Sequence, residues 1–241
     1  MDKLQIKTDI HSHLLPGLDD GARNMEQTLL MLEGMQQAGF EHLYFSPHVS
    51  ANRYPNTKSA IESRFREVKE ACREKGIALE PGLCAEYYID REFMEMAESG
   101  EPLLTLPGNH ILVETSMMQE PLYLSDALFS LQSKGYTPIL AHPERYPYYE
   151  ENSDILLKLH HSGCLFQANL FSFCGHYGKS ARKKAESLLK GGLIDFIGTD
   201  LHHPAQLALL TDRSVRKAAG KMNVKNDMFN EPMKTQHHEN N

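Results

Sequence analysis

Cysteine is scarce in this 241-residue chain and badly placed for chemistry. The four that occur, Cys72, Cys84, Cys164 and Cys174, form no C-x-x-C pair and no zinc-finger spacing. They read as small packing residues. Their positions also exclude a thiol phosphatase loop. Such a loop needs an arginine six positions after the cysteine, and those positions hold Ala78, Asp90, Leu170 and Ser180. No apolar run is long enough to span a bilayer, and the start, MDKLQIKTDI, lacks the apolar core of a secretory signal. These features lead us to expect a soluble, cytoplasmic protein without membrane insertion. Basic clusters are missing too: the net charge is -7 and Lys and Arg are scattered, so no nucleic-acid partner is expected. The sequence does not specify an oligomeric state.

Histidine, in contrast, is abundant, with 13 in the chain. His237 and His238 fall in a polar tail. The others lie among short apolar strands that alternate with amphipathic helices. Strands are expected at Ile6–Ile10, His42–Ser46, Ala78–Pro81, Leu83–Tyr87, Ile111–Glu114, Thr137–Ala141, Cys164–Ala168 and Asp195–Thr199. Asn24 can cap a helix over Met25–Ala38 with Gln27 at the capping-box position. Ile61, Phe65, Val68 and Cys72 make the apolar stripe of a second helix, Lys58–Lys75, ended by Gly76. Further helices are expected at Arg91–Glu98, Leu124–Lys134, Asp154–His161, Lys179–Lys190 and beyond Pro204. Repeated βα units predict a parallel sheet, as a barrel or doubly wound, in one domain over residues 1–224. Residues 225–241 are polar and aperiodic and are expected to be disordered.

The chemistry gathers at strand C-termini. The first strand runs into Asp9-Ile10-His11-Ser12-His13 and then Asp19-Asp20-Gly21. The others end in Ser46-Pro47-His48, Ala85-Glu86, Val113-Glu114, His142-Pro143-Glu144-Arg145 and Thr199-Asp200-Leu201-His202-His203. In a parallel barrel these ends converge on one rim, where barrel active sites lie. His11 and His13 share one side of a strand and can grip one cation together. Taken singly, His48 or His142 reads as a hydrogen-bonded loop histidine, Glu114 as a rim carboxylate, and Asp19 and Asp20 as turn residues. Six strand ends all carrying ligand-type residues point instead to a metal site. Mixed imidazole and carboxylate donors suit manganese, iron or zinc.

The segments DIHSHLLPGLDDGA, SPHV, AEYYI, VETS, AHPERY and GTDLHH resemble the PHP superfamily. More closely, they are similar to bacterial manganese-dependent protein-tyrosine phosphatases of the CpsB and YwqE type. The likeness runs from about Thr8 to His202. It implies an α/β fold, a distorted (β/α)7 TIM-like barrel, with three divalent ions, manganese first. By this resemblance His11, His13, Glu86 and Asp200 hold one ion. Glu86, Glu114 and His142 hold a second, and Asp20, His48 and His202 a third. Arg145 matches a phosphate-contacting arginine, with His48 and His142 beside it at the catalytic centre. Asp9 fits as support for a ligating histidine. Three divalent ions against four carboxylates leave a doubly positive site, suited to a phosphomonoester dianion. The resemblance further implies hydrolysis of phosphotyrosine by a metal-activated hydroxide. The expected partner is a membrane-associated tyrosine kinase that regulates capsular or exopolysaccharide synthesis.

One departure stands out. Relatives often carry a second arginine a few residues after the last metal histidine, but here His203-Pro204-Ala205-Gln206-Leu207 follows and the next arginine is Arg213. His203 could substitute or could simply cap the turn. Competing readings are a PHP phosphatase for a small metabolite such as histidinol phosphate, and a metal-containing binding module. An amidohydrolase ranks low, because Glu86 stands where a metal-bridging lysine would be needed.

Overall fold

The computed structural model describes residues 4–230. Strand β1 (Thr8–Asp9) leads through the His11–Gly21 segment to helix α1 (Met25–Ala38). The Asn24 side chain accepts from the Gln27 backbone N–H at 3.0 Å, and the Gln27 side chain accepts from the Arg23 N–H at 3.1 Å. One otherwise orphaned donor of the first turn and the N–H just before the cap are thereby satisfied. Strands β2 (His42–Phe45) and β3 (His48–Val49) follow on either side of Ser46-Pro47. Helix α2 (Lys58–Lys75) buries Ile61, Val68 and Cys72, with Phe65 packed beside them, as the spacing predicts. Gly76 ends it in the left-handed region, at φ 68°.

Strands β4 (Glu80–Leu83) and β5 (Glu86–Tyr88) flank Cys84-Ala85 and lead into α3 (Arg91–Glu98). Regular alternation then takes over: β6 (His110–Glu114), α4 (Leu124–Ser133), β7 (Thr137–Ala141), α5 (Asp154–His161), β8 (Leu165–Asn169), α6 (Gly178–Lys190), β9 (Phe196–Gly198) and α7 (Arg213–Ala219). Between β9 and α7, residues Pro204–Thr211 form 3-10 turns.

Among the described residues every strand pairing is parallel. One sheet has the order β1-β2-β4 and the other β3-β5-β6-β7-β8-β9. The chain passes from the first sheet to the second at two kinks, between β2 and β3 and between β4 and β5. Proline is suited to the first kink, because Pro47 has no N–H to offer a ladder. Past β9, Asp200 N donates to His11 O at 2.8 Å and His13 N donates to Leu201 O at 2.9 Å. The parallel sheet therefore curls, in the manner of a half-barrel, and its far strand bonds back to the chain after β1.

Both faces of the strands are apolar, as expected for a covered parallel sheet. In β6, Ile111 and Val113 pack with the helices, while Leu112 joins an inner cluster with Ile10, Tyr44, Ile139, Ala141, Phe196 and Phe229. Side chains alternate with period two. Glu114 therefore leaves β6 on the inner face set by Leu112, which delivers its carboxylate to the mouth.

The structure corrects one expectation. The composition places a disordered tail from Lys225, whereas Asn226–Phe229 forms a 3-10 turn and Phe229 joins the inner cluster. Asn226 Nδ2 donates to Thr8 O and Ile197 O at 2.8 and 2.6 Å, and its Oδ1 accepts from Ile197 N at 2.9 Å. Phe229 is buried against Phe196, and its carbonyl accepts from Tyr44 Oη at 2.7 Å. Lys225 N and Nζ also donate to Asp195 O and Oδ1 at 2.8 and 2.7 Å, and Thr8 Oγ1 donates to Asp227 Oδ1 at 3.1 Å. Scattered polar contacts and one ring create no periodic signal. Residues 231–241, with the rest of the expected tail, lie outside the described residues.

Candidate metal centre

Glu86 is the hub of the mouth. It begins β5, whose register pairs it with His48 of β3 on one side and Leu112 of β6 on the other. Glu86 Oε2 lies 3.2 Å from His11 Nε2, 3.3 Å from His13 Nε2 and 3.0 Å from His48 Nδ1. Its Oε1 lies 3.2 Å from His142 Nε2. Asp200 Oδ1 approaches His11 Nε2 at 3.5 Å, His13 Nε2 at 3.4 Å and His202 Nδ1 at 3.4 Å. Glu114 Oε1 stands 3.1 Å from His48 Nδ1, and its Oε2 is 3.9 Å from His142 Nε2. Asp20 Oδ1 stands 3.6 Å from both His48 Nε2 and His202 Nε2.

All nine expected ligand residues therefore meet, although they come from seven separate stretches of chain. Four sets bring donor atoms within 4.8 Å of one another: His11/His13/Asp200, His11/Glu86/His142, His48/Glu86/Glu114 and His13/His48/His202. They overlap the three groups drawn from the resemblance without reproducing them. Asp20 is in none of the four sets, and its side chain is half exposed.

Do these residues fit cations? The orientation of the imidazoles says so. His11 Nδ1 is bonded to Gln167 Oε1 at 2.7 Å and His13 Nδ1 to Asp19 Oδ2 at 2.8 Å. Those acceptors fix the ring proton on Nδ1, so neutral rings aim two bare Nε2 lone pairs at each other across 3.1 Å. Two facing lone pairs repel unless a cation or a shared proton lies between them. His48 Nδ1 and Glu86 Oε2 are close, yet neither makes an aligned hydrogen bond, and His142 Nδ1 is also buried without a partner. Buried polar atoms without partners are costly. Polarising partners behind ligating histidines are the usual support of a metal site.

Protons compete for the same nitrogens. Burial disfavours charge on His11, but the Glu86 and Asp200 carboxylates outweigh it and push its pKa up to about 9. His48 is likewise opposed by burial, yet Glu86 and Glu114 push it up to about 12. His202 is raised by Asp200 and Asp20 against its burial. Glu86 and Asp200 would be raised by burial, but the surrounding histidines, with Arg145 beside Asp200, hold both below the usual carboxylate range. For Asp20, the nearby His202 imidazole, with His48, does the same.

Backbone strain marks two of these positions. His142 and Asp200 sit at φ 37° and 54°, a region that non-glycine residues rarely adopt. Each lies just past its strand, where the left-handed turn redirects the side chain into the mouth. Such strain clusters at functional sites. Glycine makes room elsewhere: a Cβ on Gly21 would fall 2.0 Å from His13 O, and one on Gly198 would fall 2.4 Å from His11 Cβ.

Arg145 reaches the same mouth. Its Nη1 donates to Asp200 Oδ2 at 2.6 Å, and the guanidinium lies 4.4 Å over the Tyr177 ring. Asp9 supports His11 through the backbone, accepting from His11 N at 3.2 Å and from Thr199 N at 2.9 Å. It ties β1 to β9, and the His11 ring is held by Gln167 instead. His203 is exposed, and its N–H donates to Gln206 Oε1 at 2.9 Å, the capping arrangement.

Sequence reasoning missed several supporting residues. Asp19 was read as a turn, yet it orients the His13 ring and accepts from His48 N at 3.1 Å. The even spacing of Gln167 and Asn169 in β8 places both on one face, toward His11 and Asp200, and that period was the available signal. Tyr54 stacks on His48 with centroids 5.2 Å apart, and nothing in the linear sequence pointed to it.

Comparison with known proteins agrees with this geometry. A curated relative, the tyrosine-protein phosphatase YwqE of Bacillus subtilis, is 30% identical over 198 residues, covering 81% of this chain and 77% of the relative. A crystal structure described as YwqE from Bacillus subtilis and CpsB from Streptococcus pneumoniae, metal-dependent tyrosine phosphatases, superposes with a TM-score of 0.76. It is 26% identical and covers 89% of this chain and 83% of the other. A histidinol phosphate phosphatase from Lactococcus lactis, crystallised with zinc, L-histidinol and phosphate, is 16% identical with a TM-score of 0.54, covers 89% of this chain and 94% of that one, and shares the fold. The family model for capsular polysaccharide synthesis proteins CpsB/CapC matches residues 7–235, nearly the whole chain, and the chain belongs to that family.

Proposed function

We propose that this chain is a metal-dependent protein-tyrosine phosphatase. The observation that carries the reading is the set of buried imidazole nitrogens and carboxylate oxygens aimed at shared points around Glu86, beside a guanidinium. His11, His13, Asp20, His48, Glu86, Glu114, His142, Asp200 and His202 would hold divalent cations, three by the resemblance, with manganese first and iron or zinc also compatible with the donors. Joined across their kinks, β2–β3 and β4–β5 make single staves, which supports counting the curled sheet as a distorted (β/α)7 barrel in one domain.

Bound divalent ions would supply Lewis-acid charge and lower the pKa of water toward about 7. The chain's own residues do the rest. Gln167, Asp19 and the Asp200 carbonyl hold His11, His13 and His202 in the tautomer that leaves the inner nitrogen free. Arg145 has spent one N–H on Asp200, and its remaining donors are available to phosphoryl oxygens as charge develops on them. The ionic contact with Asp200 and the ring of Tyr177 fix its plane before substrate arrives. His48 and His142 flank Glu86 at the floor of the mouth, where the phosphoryl group would sit. A tyrosine leaving group has a pKa of roughly 10, far below that of a serine alkoxide, so little proton donation is required.

The family's association with capsular polysaccharide synthesis supports a phosphotyrosyl protein as substrate. We place it as the tail of a membrane-associated tyrosine kinase, met from the cytoplasm. Among the described residues no helix is long and apolar enough to cross a membrane. The test is phosphate release from phosphotyrosyl and phosphoseryl peptides with Mn2+, before and after chelation. We expect a strong phosphotyrosine preference that chelation abolishes. Equal turnover of both peptides, or faster turnover of histidinol phosphate, would overturn the assignment.

A further inference from the structure

We propose that Arg53 is a second phosphate-binding guanidinium of this site. The inference rests on the phosphatase reading above and adds a residue to it. The mouth is a cavity of 160 Å3 lined by six of the nine metal-centre residues together with Ser50, Arg53, Tyr54, Tyr88, Met117 and Arg145. Only two of these side chains are permanent cations. Arg145 follows β7 and Arg53 follows β3, with β5 and β6 between them in the sheet order, so the two reach the cavity from different sides.

Their electrostatic situations differ. Arg145 is already neutralised by Asp200. Arg53 has no carboxylate partner among the described residues; its guanidinium lies 5.6 Å over the Tyr54 ring instead. An unpaired guanidinium at a mouth that also carries Asp20, Glu114 and Asp200 keeps its full charge for an incoming anion. The turn that carries it is braced. Ser50 and Tyr54 exchange both backbone hydrogen bonds, at 2.9 and 3.0 Å, so residues 51–53 form the tip of a closed loop. The Tyr54 ring stacks on His48 with an interplanar angle of 11°. Ring contacts through Tyr54 therefore link Arg53 to His48.

A phosphomonoester dianion presents three terminal oxygens, more than one partly used arginine can serve. A cavity this small brings whatever fills it against all of its walls. Arg53 clamps phosphoryl oxygens from the side opposite Arg145, while the side chains of Tyr54, Tyr88 and Met117 line the path of the aryl group.

The test compares wild type, Arg53→Ala and Arg53→Lys as full chains loaded with Mn2+. Binding of inorganic phosphate is measured by calorimetry and as inhibition of nitrophenyl phosphate hydrolysis. Bound metal is quantified for each variant. For Arg53→Ala we expect phosphate affinity and kcat/KM on nitrophenyl phosphate to fall by roughly tenfold to a hundredfold, the range for a charge-assisted hydrogen bond, with metal content unchanged. Arg53→Lys should recover only part, because an ammonium cannot make the bidentate fork. Unchanged phosphate affinity in Arg53→Ala overturns the proposal, including the case where only peptides with acidic flanks are affected. A wild-type protein that neither binds phosphate nor hydrolyses the ester overturns the phosphatase reading itself.

Discussion

Replacing Gln167 with leucine should weaken metal binding although Gln167 is not itself a ligand. Gln167 is fully buried in β8. Its Oε1 accepts from His11 Nδ1 at 2.7 Å, and its Nε2 donates to Asn169 Oδ1 at 3.0 Å. Asn169 Nδ2 in turn donates to Asp200 Oδ2 at 2.6 Å. One amide therefore sets the His11 tautomer directly and the Asp200 orientation through Asn169. Leucine keeps the volume and removes both bonds. Loss of such support costs about 10- to 100-fold in metal affinity, or about 1.4 to 2.8 kcal/mol. In the metal-free protein, the His11 and Asn169 atoms left without partners should cost about 1–3 kcal/mol each. The assay is Mn2+ titration in a competing chelator, with urea unfolding in parallel. At saturating metal kcat should be largely kept, since Gln167 does not line the mouth. A Mn2+ affinity within twofold of wild type would refute the reasoning.

Between about pH 6.5 and 9, metal-free stability should fall as pH rises while the stabilisation added by metal grows. The raised His11 pKa, about 9 against an ordinary 6.5, stabilises the metal-free fold fully below pH 6.5, and that contribution is lost as pH rises through 9. The depressed carboxylates Glu86 and Asp200 contribute above their ordinary range and lose that contribution as pH falls. Metal needs the deprotonated nitrogens, so the rise in Tm on adding Mn2+ should grow from pH 6 to 8.5; a constant or shrinking rise counts against the site. Gly21→Ala should destabilise by about 1–3 kcal/mol or more, because its Cβ would strike His13 O, and denaturant melts would show it; wild-type stability would contradict the tight turn. Phe229→Ala should cost about 3–5 kcal/mol by urea unfolding, whereas a truly disordered segment would cost nothing.

Much of the site was legible because a parallel βα chain puts every strand end at one mouth, so His11, His48, Glu86, Glu114, His142 and Asp200 pointed to a metal site as a set, though not singly. Helix ends were legible where caps announce them, as at Asn24 and Gly76. Strand lengths were less so. The kinks at Ser46-Pro47 and Cys84-Ala85 break the ladder, and β3, two residues behind a proline, is too short to leave an alternation of its own. The residues behind the ligands were hidden for a different reason. Asp19, Gln167 and Tyr54 look like an ordinary turn, strand and loop until folding brings a histidine ring against each. The 225–230 segment misled because isolated polar contacts and the single Phe229 ring hold it, and these leave no period in the sequence.

The central claim is that distant residues share bound cations at this mouth. Its most direct test is anomalous diffraction from Mn2+-soaked crystals, paired with metal analysis of the same preparation. The account predicts anomalous peaks within coordination distance of His11, Glu86, His142 and Asp200. Stoichiometric metal bound elsewhere, or a mouth that stays free of manganese at saturating concentration, would contradict it.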